Sequence, residues 1–427
     1  MAKERIDIAP DKIKRLREAN DFSQLGLSEL MNYGSTYMNL IENGRRKFTP
    51  ESLASFRNLL DLNGVPLTGK EIDAFKQTLH AYKDAYMIGD VETAKAQVPE
   101  LEYYVNASLD VGLQNLFTLY SAIHNRVLRR LDVMDVQLEF LKSRAAGFNE
   151  EERYWYHRVL GIRQLAAHNY KAALNHFFDA EKLSNPRKIK DIGLSYCIAF
   201  CLVTMGNTWL AESYLDMAAK DIAQTYNNRY SSWLIIAKAM HLQNTCQFSS
   251  AIFLMESSIN EDMAKIEARR LTSAFYACLA EAYRGKGDLP KAMENSCLAI
   301  THCAKDSICY PYTLYVKALV LYDMGCFDEC LEYVNDALAF VPSDANVDGL
   351  RLRSLKEKLT LNTLESLEYI EYEAIPKFLE RGMHLEVIYY ANHLVQHFEK
   401  KHVYKKALYY AKLKFELFCS ITHRREV

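Results

Sequence analysis

A small residue recurs at nearly constant intervals through the middle of the chain. Ala173, Ala211, Ala251, Ala292 and Cys330 follow one another at intervals of about 40 residues. In most of these repeats a glycine or polar residue comes first and an aromatic residue or leucine follows it. The small residue lies three positions after that aromatic residue or leucine. Self-similarity at this period predicts helical hairpins that stack, because each hairpin must cover the apolar side of its neighbour.

The scarcity of turn formers agrees with a helical chain. The 427 residues include 16 glycines and 9 prolines, roughly half the usual shares of about 7% and 5%. A β-sandwich or a barrel of repeated hairpins needs a break every ten residues or so, and is therefore excluded. Because 49% of the residues are apolar and 12% are aromatic, disorder is excluded as well. We expect an all-α fold with long helices and short connections.

The N-terminal stretch over positions 1–65 has a different pattern, which predicts four short amphipathic helices. In the third helix, Met38 and Ile41 lie at i,i+3 on one face, Ser35 is the expected N-cap, and Asn43-Gly44 ends the helix. Short second and third helices joined by a tight turn predict a helix-turn-helix, whose third helix enters the major groove of DNA.

The stretch from Ser35 to Arg46 is similar to the recognition helix and following loop of the lambda-repressor-like (Cro/C1, XRE) family. That family reads S-x-x-x-S-x-I-E-x-G-x-R, and this chain keeps Ile41, Glu42 and Gly44. The resemblance implies double-stranded DNA as a partner. Because the N-terminal stretch holds ten Lys and Arg against nine Asp and Glu, a dimer on two half-sites is expected.

The resemblance also implies which residues contact DNA. Base edges are assigned to Ser35, Thr36, Tyr37 and Asn39, and phosphates to Asn43, Arg45, Arg46 and Lys47. The family usually begins its second helix with Ser-Gln. Here Leu27 stands three residues before Leu30, and Gln24 lies three residues earlier still. The alternative interpretation is a small helical bundle without a role in DNA binding.

The repeats resemble tetratricopeptide repeats, whose standard period is slightly shorter. The resemblance implies a right-handed superhelix of degenerate hairpins. The expected domains are a DNA-binding domain over 1–65, a linker with N-terminal hairpins over 66–150, and a peptide-binding and dimerisation domain over 151–427. Residues 113–150 fit the repeat motif poorly, and the phase of the repeats over 364–420 stays open.

The first helix of each hairpin is expected to line a concave surface. Aromatic side chains and separated polar groups on that surface suit an extended oligopeptide, whose amides need partners that donate and accept. The candidate peptide-binding residues are Arg158, Tyr196, Phe200, Met240, Gln243, Asn244, Glu281, Arg284, Tyr315 and Asp323. The alternative is that several of these pair with one another across repeats.

Motifs for catalysis are missing from the sequence. It contains no P-loop, GxSxG, HExxH or Rossmann signature, and we expect no catalytic residues, metal or cofactor. His393 and His397 lie at i,i+4, which we interpret as a packed helix face. The ten cysteines form no CxxC pair, and the net charge of -2 indicates no global attraction to anionic membranes. A soluble cytoplasmic protein is expected.

Together the two parts resemble the peptide-sensing regulators of Gram-positive bacteria and their phages, the Rap, Rgg, NprR, PlcR and PrgX grouping, and NprR most of all. The similarity includes Tyr170-x-x-Ala173-Leu174-x-x-Phe177. It implies a quorum-sensing transcription regulator, as a homodimer controlled by a short signalling oligopeptide. One alternative is a Rap-like protein that promotes dephosphorylation of a response regulator through Leu113–Leu141, where Gln114 and Gln137 are available. Another is an arbitrium-type lysogeny regulator of a phage.

Overall fold

Apolar residues at helical spacing account for the fold, and the computed structural model is all-α over the residues that it describes, as predicted. The described residues are 10–19, 21–60, 69–88, 90–107, 111–184, 189, 191–223, 228–262, 269–305, 307, 309–341, 347–360 and 364–422. The chain forms two compact units, Met1–Val159 and Leu160–Val427. The predicted linker after position 65 begins outside the described residues.

The first unit starts with four short helices around one apolar core. They are α1 (Pro10–Ala19), α2 (Gln24–Leu30), α3 (Tyr37–Glu42) and α4 (Pro50–Leu59). The core contains Ile13, Leu27, Met38, Ile41 and Phe56, each less than 5% exposed. A capping box begins α4: the Thr49 side chain accepts from the Ser52 amide and the Ser52 side chain accepts from the Thr49 amide.

Longer helices complete the first unit. They are α5 (Gly69–Ile88), α6 (Val91–Ala107), α7 (Val111–Val127), α8 (Leu131–Lys142) and most of α9 (Glu150–Ala166), with a short 3-10 turn at Ala145–Gly147. The Tyr82 hydroxyl of α5 and His124 Nδ1 of α7 share a hydrogen bond of 2.8 Å inside this group. The region that fits the repeat motif poorly, residues 113–150, is thus helical but contains the shorter helix α8.

The second unit is a right-handed superhelix of hairpins. Its helices after α9 are α10 (Tyr170–Leu183), α11 (Leu194–Thr204), α12 (Thr208–Ala223), α13 (Asn228–Asn244), α14 (Phe248–Asp262), α15 (Arg269–Lys286), α16 (Leu289–Thr301), α17 (Tyr310–Asp323), α18 (Phe327–Phe340), α19 (Val347–Leu359), α20 (Leu364–Glu368), α21 (Ile375–Arg381), α22 (His384–Lys400) and α23 (Tyr404–Thr422). A π-helical segment, Tyr369–Ala374, joins α20 to α21. In the described part of the chain, no helix is both long and apolar enough to span a membrane.

The anchor residues of the repeats lie where the sequence places them. Ala173, Ala211, Ala251, Ala292 and Cys330 are all fully buried. The hairpin turns at Gly206, Gly287 and Gly325 have φ values of 79°, 88° and 77°, a backbone region that favours glycine. The phase of the last repeats is now clear, since Gly382 turns between α21 and α22, and His402 turns between α22 and α23.

Helices from the beginning and from the end of the second unit pack against each other. Helix α10 contacts α21, and α12 contacts α23. Tyr170 of α10 belongs to the same apolar core as Phe378 and Tyr390. At the turn before α12, a Cβ on Gly206 would lie 2.9 Å from Leu385. The superhelix of this unit is therefore closed on itself, and side chains fill much of its interior.

Candidate functional site

Glu42 fixes the position of α3 in the N-terminal cluster. Its carboxylate accepts from Arg17 Nε at 2.6 Å and from Arg17 Nη2 at 3.0 Å, and also from Gln24 Nε2 at 2.6 Å. Arg17 Nη1 donates to the Phe22 carbonyl at 2.7 Å. The hydrogen bond to Glu42, despite partial desolvation, raises the pKa of the Arg17 guanidinium above its ordinary value. The bidentate pair ties α3 to α1 and α2.

The second helix begins with the family's Ser-Gln pair after all. Ser23 is the N-cap of α2, its side chain accepts from the Gly26 amide at 2.9 Å, and Gln24 is the first helical residue. The comparison that set Leu27 against the start of this helix is wrong by three residues, because α2 begins at Gln24 and Leu27 lies in the buried core. Gln24 Oε1 accepts a hydrogen bond from Asn39 Nδ2 of α3 at 3.2 Å.

Most of the residues assigned to DNA share one exposed surface of this cluster. The exposed members are Ser35, Thr36, Asn39, Asn43, Arg45, Arg46 and Lys47. Thr36, rather than Ser35, is the N-cap of α3, and its side chain makes no capping hydrogen bond. Asn43 Nδ2 donates to Asn39 Oδ1 at 3.2 Å. We name the group of exposed residues the α3 surface.

The prediction that Tyr37 faces base edges is wrong. Its side chain is only 3% exposed, and its hydroxyl donates to Ser52 Oγ at 2.7 Å. The Tyr37 ring stacks on Tyr33 with 4.2 Å between ring centroids, and Arg46 lies over it at 4.8 Å. Burial raises the pKa of the Tyr37 phenol. Tyr37 therefore supports the α3 surface from below.

In the second unit, three predicted peptide-binding residues are held by partners in a neighbouring repeat, in line with the alternative interpretation. Arg284 Nη1 donates to Asp323 Oδ2 at 2.8 Å. Glu281 Oε2 accepts from the Tyr312 hydroxyl at 2.6 Å. Since each pair joins α15 to α17, these polar groups set the spacing of adjacent hairpins.

The two amides of α13 are only partly satisfied within the chain. Gln243 Nε2 donates to the Cys278 carbonyl at 2.9 Å, and Asn244 Nδ2 donates to the Val203 carbonyl at 2.7 Å. No described residue donates to either amide oxygen, Gln243 Oε1 or Asn244 Oδ1, and both side chains are half-buried. An amide oxygen held in this way is suited to accept from the N–H of an incoming peptide.

Three of the predicted ligand contacts are wrong for this conformation because their side chains are buried. Arg158 is 1% exposed, Tyr196 is 8% and Tyr315 is 7%. Phe200 and Met240 are half-buried and pack against the apolar cores. Helical phase alone does not reveal this burial, because it depends on packing against neighbouring helices, as for Tyr196 against Tyr230 of α13.

Arg351 joins α19 to α22 inside the second unit, and the sequence did not indicate this role. Its Nη2 donates to Glu386 Oε1 at 2.5 Å and its Nη1 to Asp348 Oδ1 at 3.3 Å. Its guanidinium lies 5.7 Å from the ring centroids of Tyr312 and Tyr315. Burial disfavours the charged form of the Arg351 guanidinium. The nearby carboxylates of Glu386 and Asp348 outweigh this effect, and they raise the pKa of Arg351 well above its ordinary value. The inward phase of α19 and α22 is the signal that could have identified these residues.

The region assigned to a response regulator presents an apolar stripe. Val133, Val136 and Phe140 of α8 lie at i, i+3 and i+7 and are 39%, 72% and 38% exposed. Gln114 is 8% exposed. Gln137 is engaged, since its Nε2 donates to Ser121 Oγ at 2.7 Å. The stripe, rather than either glutamine, is the prominent feature of α8.

Comparison with solved structures identifies the fold. NprR in complex with its cognate peptide NprX matches at 19% identity with a TM-score of 0.72, over 80% of this chain and 98% of that chain. A Rap protein complexed with competence and sporulation factor matches at 15% identity with a TM-score of 0.69, over 82% of this chain and 99% of that chain. The apo form of the quorum sensor NprR from B. thuringiensis matches at 18% identity with a TM-score of 0.61, over 81% of this chain and 99% of that chain. The chain has the fold of the NprR and Rap proteins.

The predicted resemblance to NprR and Rap is thus confirmed at the level of the fold. No protein-family model and no curated protein sequence matches the chain. The matched structures include NprR with its cognate peptide NprX and a Rap protein with competence and sporulation factor.

Proposed function

We propose that this protein is a peptide-responsive, DNA-binding transcription regulator of the quorum-sensing type. The N-terminal helices bind operator DNA, and the superhelical unit binds a short signalling oligopeptide. The observation that carries the proposal is the exposed α3 surface on a domain that precedes an NprR-like superhelix in one chain.

The local geometry supports DNA binding. In a helix-turn-helix, the second helix of the motif presents its N-terminal residues to base edges while neighbouring groups contact phosphates. Thr36 and Asn39 are exposed at the start of α3, and Arg45, Arg46 and Lys47 are exposed directly after it. Glu42 and Tyr37 hold the helix from behind, so the surface is presented on a fixed support.

The superhelical unit supports peptide sensing. NprR and Rap structures of the same fold contain the peptide NprX and the competence and sporulation factor. In this chain, the amide oxygens of Gln243 and Asn244 are suited to accept from a peptide backbone. A ligand shifts a conformational equilibrium only by its differential affinity for the two states. We infer that the peptide changes the curvature of the closed superhelix and so the arrangement of a homodimer on two half-sites.

A salt titration of DNA binding tests the proposal. Replacing Arg45, Arg46 and Lys47 together by alanine removes three phosphate contacts. The slope of log K against log[salt] is then expected to fall by about 3, because each contact contributes roughly 0.9 to the slope. Fluorescence anisotropy with duplex DNA at several salt concentrations measures it.

A control with the same loss of charge makes the titration specific. Lys142, Lys182 and Lys220 are exposed lysines distant in sequence from α3. Their triple alanine variant is expected to keep the wild-type slope. Equal slopes for the wild type and the Arg45, Arg46, Lys47 variant would show that the α3 surface does not bind DNA.

A second candidate function is favoured by the apolar stripe on α8. Val133, Val136 and Phe140 would dock a response regulator whose dephosphorylation the protein promotes. Purified phosphorylated response regulators should then lose phosphate faster with the wild-type protein than with Val136→Asp. The same hydrolysis rate with both proteins would leave transcription regulation as the function.

A further inference from the structure

A cavity of about 690 Å³ lies near the end of the superhelix. The C-terminal ends of α17 and α19 form one side of it, and α22 and α23 form the other. Its polar lining includes Lys358, Asn392 and Lys414, and its apolar lining includes Phe415 and Phe418. This volume lies in the range of pockets that hold drug-sized ligands.

Lys358 is a buried amine that forms no ion pair with a described residue, although the charge of the nearby Asp323 acts on it. Its side chain is 5% exposed. Its Nζ lies over the rings of Tyr322 at 3.7 Å and Tyr389 at 4.2 Å, and donates to the Tyr389 hydroxyl. No carboxylate in the described part of the chain lies within 4.0 Å of this amine, and Asp323 is engaged by Arg284. Buried charges are normally paired, so a cation of this kind in a cavity indicates a site for an anion.

The remaining lining divides into a polar and an apolar part. Lys414 Nζ donates to Asn392 Oδ1 at 2.8 Å, which places a second amine in the cavity wall. Phe415 and Phe418, 66% and 53% exposed, form an apolar wall on α23. Ile388 adds to the apolar lining from α22. A ligand that matches this lining has a carboxylate attached to an apolar body.

We propose that this cavity binds a carboxylate carried on an apolar body, with the carboxylate at Lys358 and the apolar group against Phe415 and Phe418. One source is the C-terminus of an oligopeptide that ends in an apolar residue; this source rests on the proposed peptide-sensing function. The other source is a free apolar carboxylic acid. Either ligand supplies a carboxylate in direct contact with the Lys358 amine.

Binding is coupled to the protonation of Lys358. Burial lowers the pKa of this amine to about 7, so at pH 8 much of it is neutral. A carboxylate favours the charged form, and its binding therefore takes up a proton. Affinity should fall as the pH rises through 7. The ligand carboxylate itself stays ionised throughout the range from pH 6 to 9.

Other groups near Lys358 do not account for such a pH dependence. The titratable and charged groups that face it are Arg284 of α15, Tyr322 and Asp323 of α17, Cys330 of α18, Tyr389 and His393 of α22, and Lys414 of α23. Burial lowers the pKa of His393 to about 4 and raises that of the Cys330 thiol to about 11. Burial also raises the pKa of the Tyr322 and Tyr389 phenols.

Calorimetry with defined probes tests the cavity. N-acetyl-leucyl-phenylalanine is titrated into the full-length protein at pH 6.5 and compared with its C-terminal amide and with hexanoate. The free acid is expected to bind at least tenfold more tightly than the amide, and to take up a proton at pH 8 in buffers of different ionisation enthalpy. Similar affinities for acid and amide would overturn the proposal.

Three variants assign the effect to Lys358. Lys358→Met should lower the affinity for the acid at least tenfold, whereas Lys356→Met on the same helix should leave it unchanged. Lys358→Arg should keep the preference for the acid but lose the pH dependence, because arginine stays charged. Circular dichroism confirms that each variant is folded. Wild-type affinity in Lys358→Met would overturn the proposal.

The two sources and the proposed function are tested separately. Equal affinity for hexanoate and the acetylated dipeptide supports the site with a free acid as its ligand, and a clear preference for the dipeptide supports a peptide C-terminus. Operator binding by the same preparations is measured in parallel. DNA binding that depends on the α3 surface, together with no Lys358-dependent acid binding, overturns the cavity assignment and leaves the regulatory function standing.

Discussion

At the scale of single residues, neighbouring positions of one motif serve different purposes depending on what surrounds them. Glu42 is part of the motif that suggests DNA binding, yet its carboxylate is 2% exposed and holds Arg17. Asn39, three residues earlier, is exposed on the α3 surface. The motif therefore combines a residue that stabilises the domain with residues that face outward.

Replacing Glu42 by glutamine tests the stabilising role. The variant leaves the buried Arg17 charge without its carboxylate, and the N-terminal cluster should lose about 1–3 kcal/mol of stability. Amide hydrogen exchange over α1–α4 measures this loss. Glu29→Gln, on the exposed side of α2, is the control and should exchange like the wild type. Unchanged protection in Glu42→Gln would show that Arg17 needs no counter-charge.

Asn244 is the residue whose replacement best separates peptide binding from folding. Its amide oxygen is the acceptor that we assign to the peptide backbone, and its Nδ2 joins α13 to the Val203 carbonyl. Asn244→Asp keeps the acceptor and loses the donor, whereas Asn244→Ala loses both. Peptide affinity, measured by calorimetry with short synthetic oligopeptides, should fall roughly tenfold or more in Asn244→Ala. Equal peptide affinity in Asn244→Ala and the wild type would exclude Asn244 from the site.

At the scale of helices and hairpins, close approach between neighbours sets where small residues are needed. A Cβ on Gly161 of α9 would lie 2.4 Å from the Phe177 ring of α10. Gly161 therefore marks a position where α9 and α10 cross too closely for a larger side chain. By contrast, a Cβ on Gly147 would meet nothing within 4 Å.

Gly161→Ala should therefore destabilise the protein while Gly147→Ala should not. The expected loss is about 1–3 kcal/mol, the usual cost of overpacking, because the Phe177 ring must move. The midpoint of urea unfolding, followed by circular dichroism, measures both variants. Adding Phe177→Leu to Gly161→Ala should recover part of the loss. Matching midpoints for the two glycine variants would contradict the role of this crossing.

The helices and their hairpin pairing could be predicted because their signals are local. Ala173 and Ala292 anchor hairpins through spacing alone, and Gly287 marks a turn by its conformational freedom. The start of α2 was misplaced because Leu30, an apolar residue used to set the register, is 54% exposed. Tyr37 was misassigned for a related reason: an aromatic residue at the start of a helix has no periodicity that tells buried from exposed.

At the scale of the whole molecule, long-range packing decided what the sequence could not. Arg351 and Glu386 are 35 residues apart, and Glu386 lies in the stretch whose repeat phase was open, so their pairing could not be predicted. Tyr315 became buried because the interior of the second unit is filled, not because of its position on α17. The sequence therefore predicts the peptide site as a concave surface, whereas the structure contains polar groups paired across repeats and a cavity at Lys358.

Glu386→Gln tests how much the filled interior contributes. The variant removes the negative charge that Glu386 places beside the Arg351 guanidinium. The free energy of unfolding of the second unit should therefore fall by about 2–4 kcal/mol. Hydrogen exchange should rise in both α10 and α21, since both pack against the same core. Glu399→Gln, exposed on α22, is the control. A thermal midpoint for Glu386→Gln equal to that of the control would show that the interior pair does not stabilise the closed superhelix.

Closure of the second unit also limits how such a chain can evolve. An open array of repeats gains or loses one repeat with little effect on the others, because each contacts only its neighbours. Here the contacts of α10 with α21 and of α12 with α23 require a set number of hairpins between them. Inserting or deleting one hairpin would separate these helices, so sequence change is confined to substitutions and loop lengths that preserve the count.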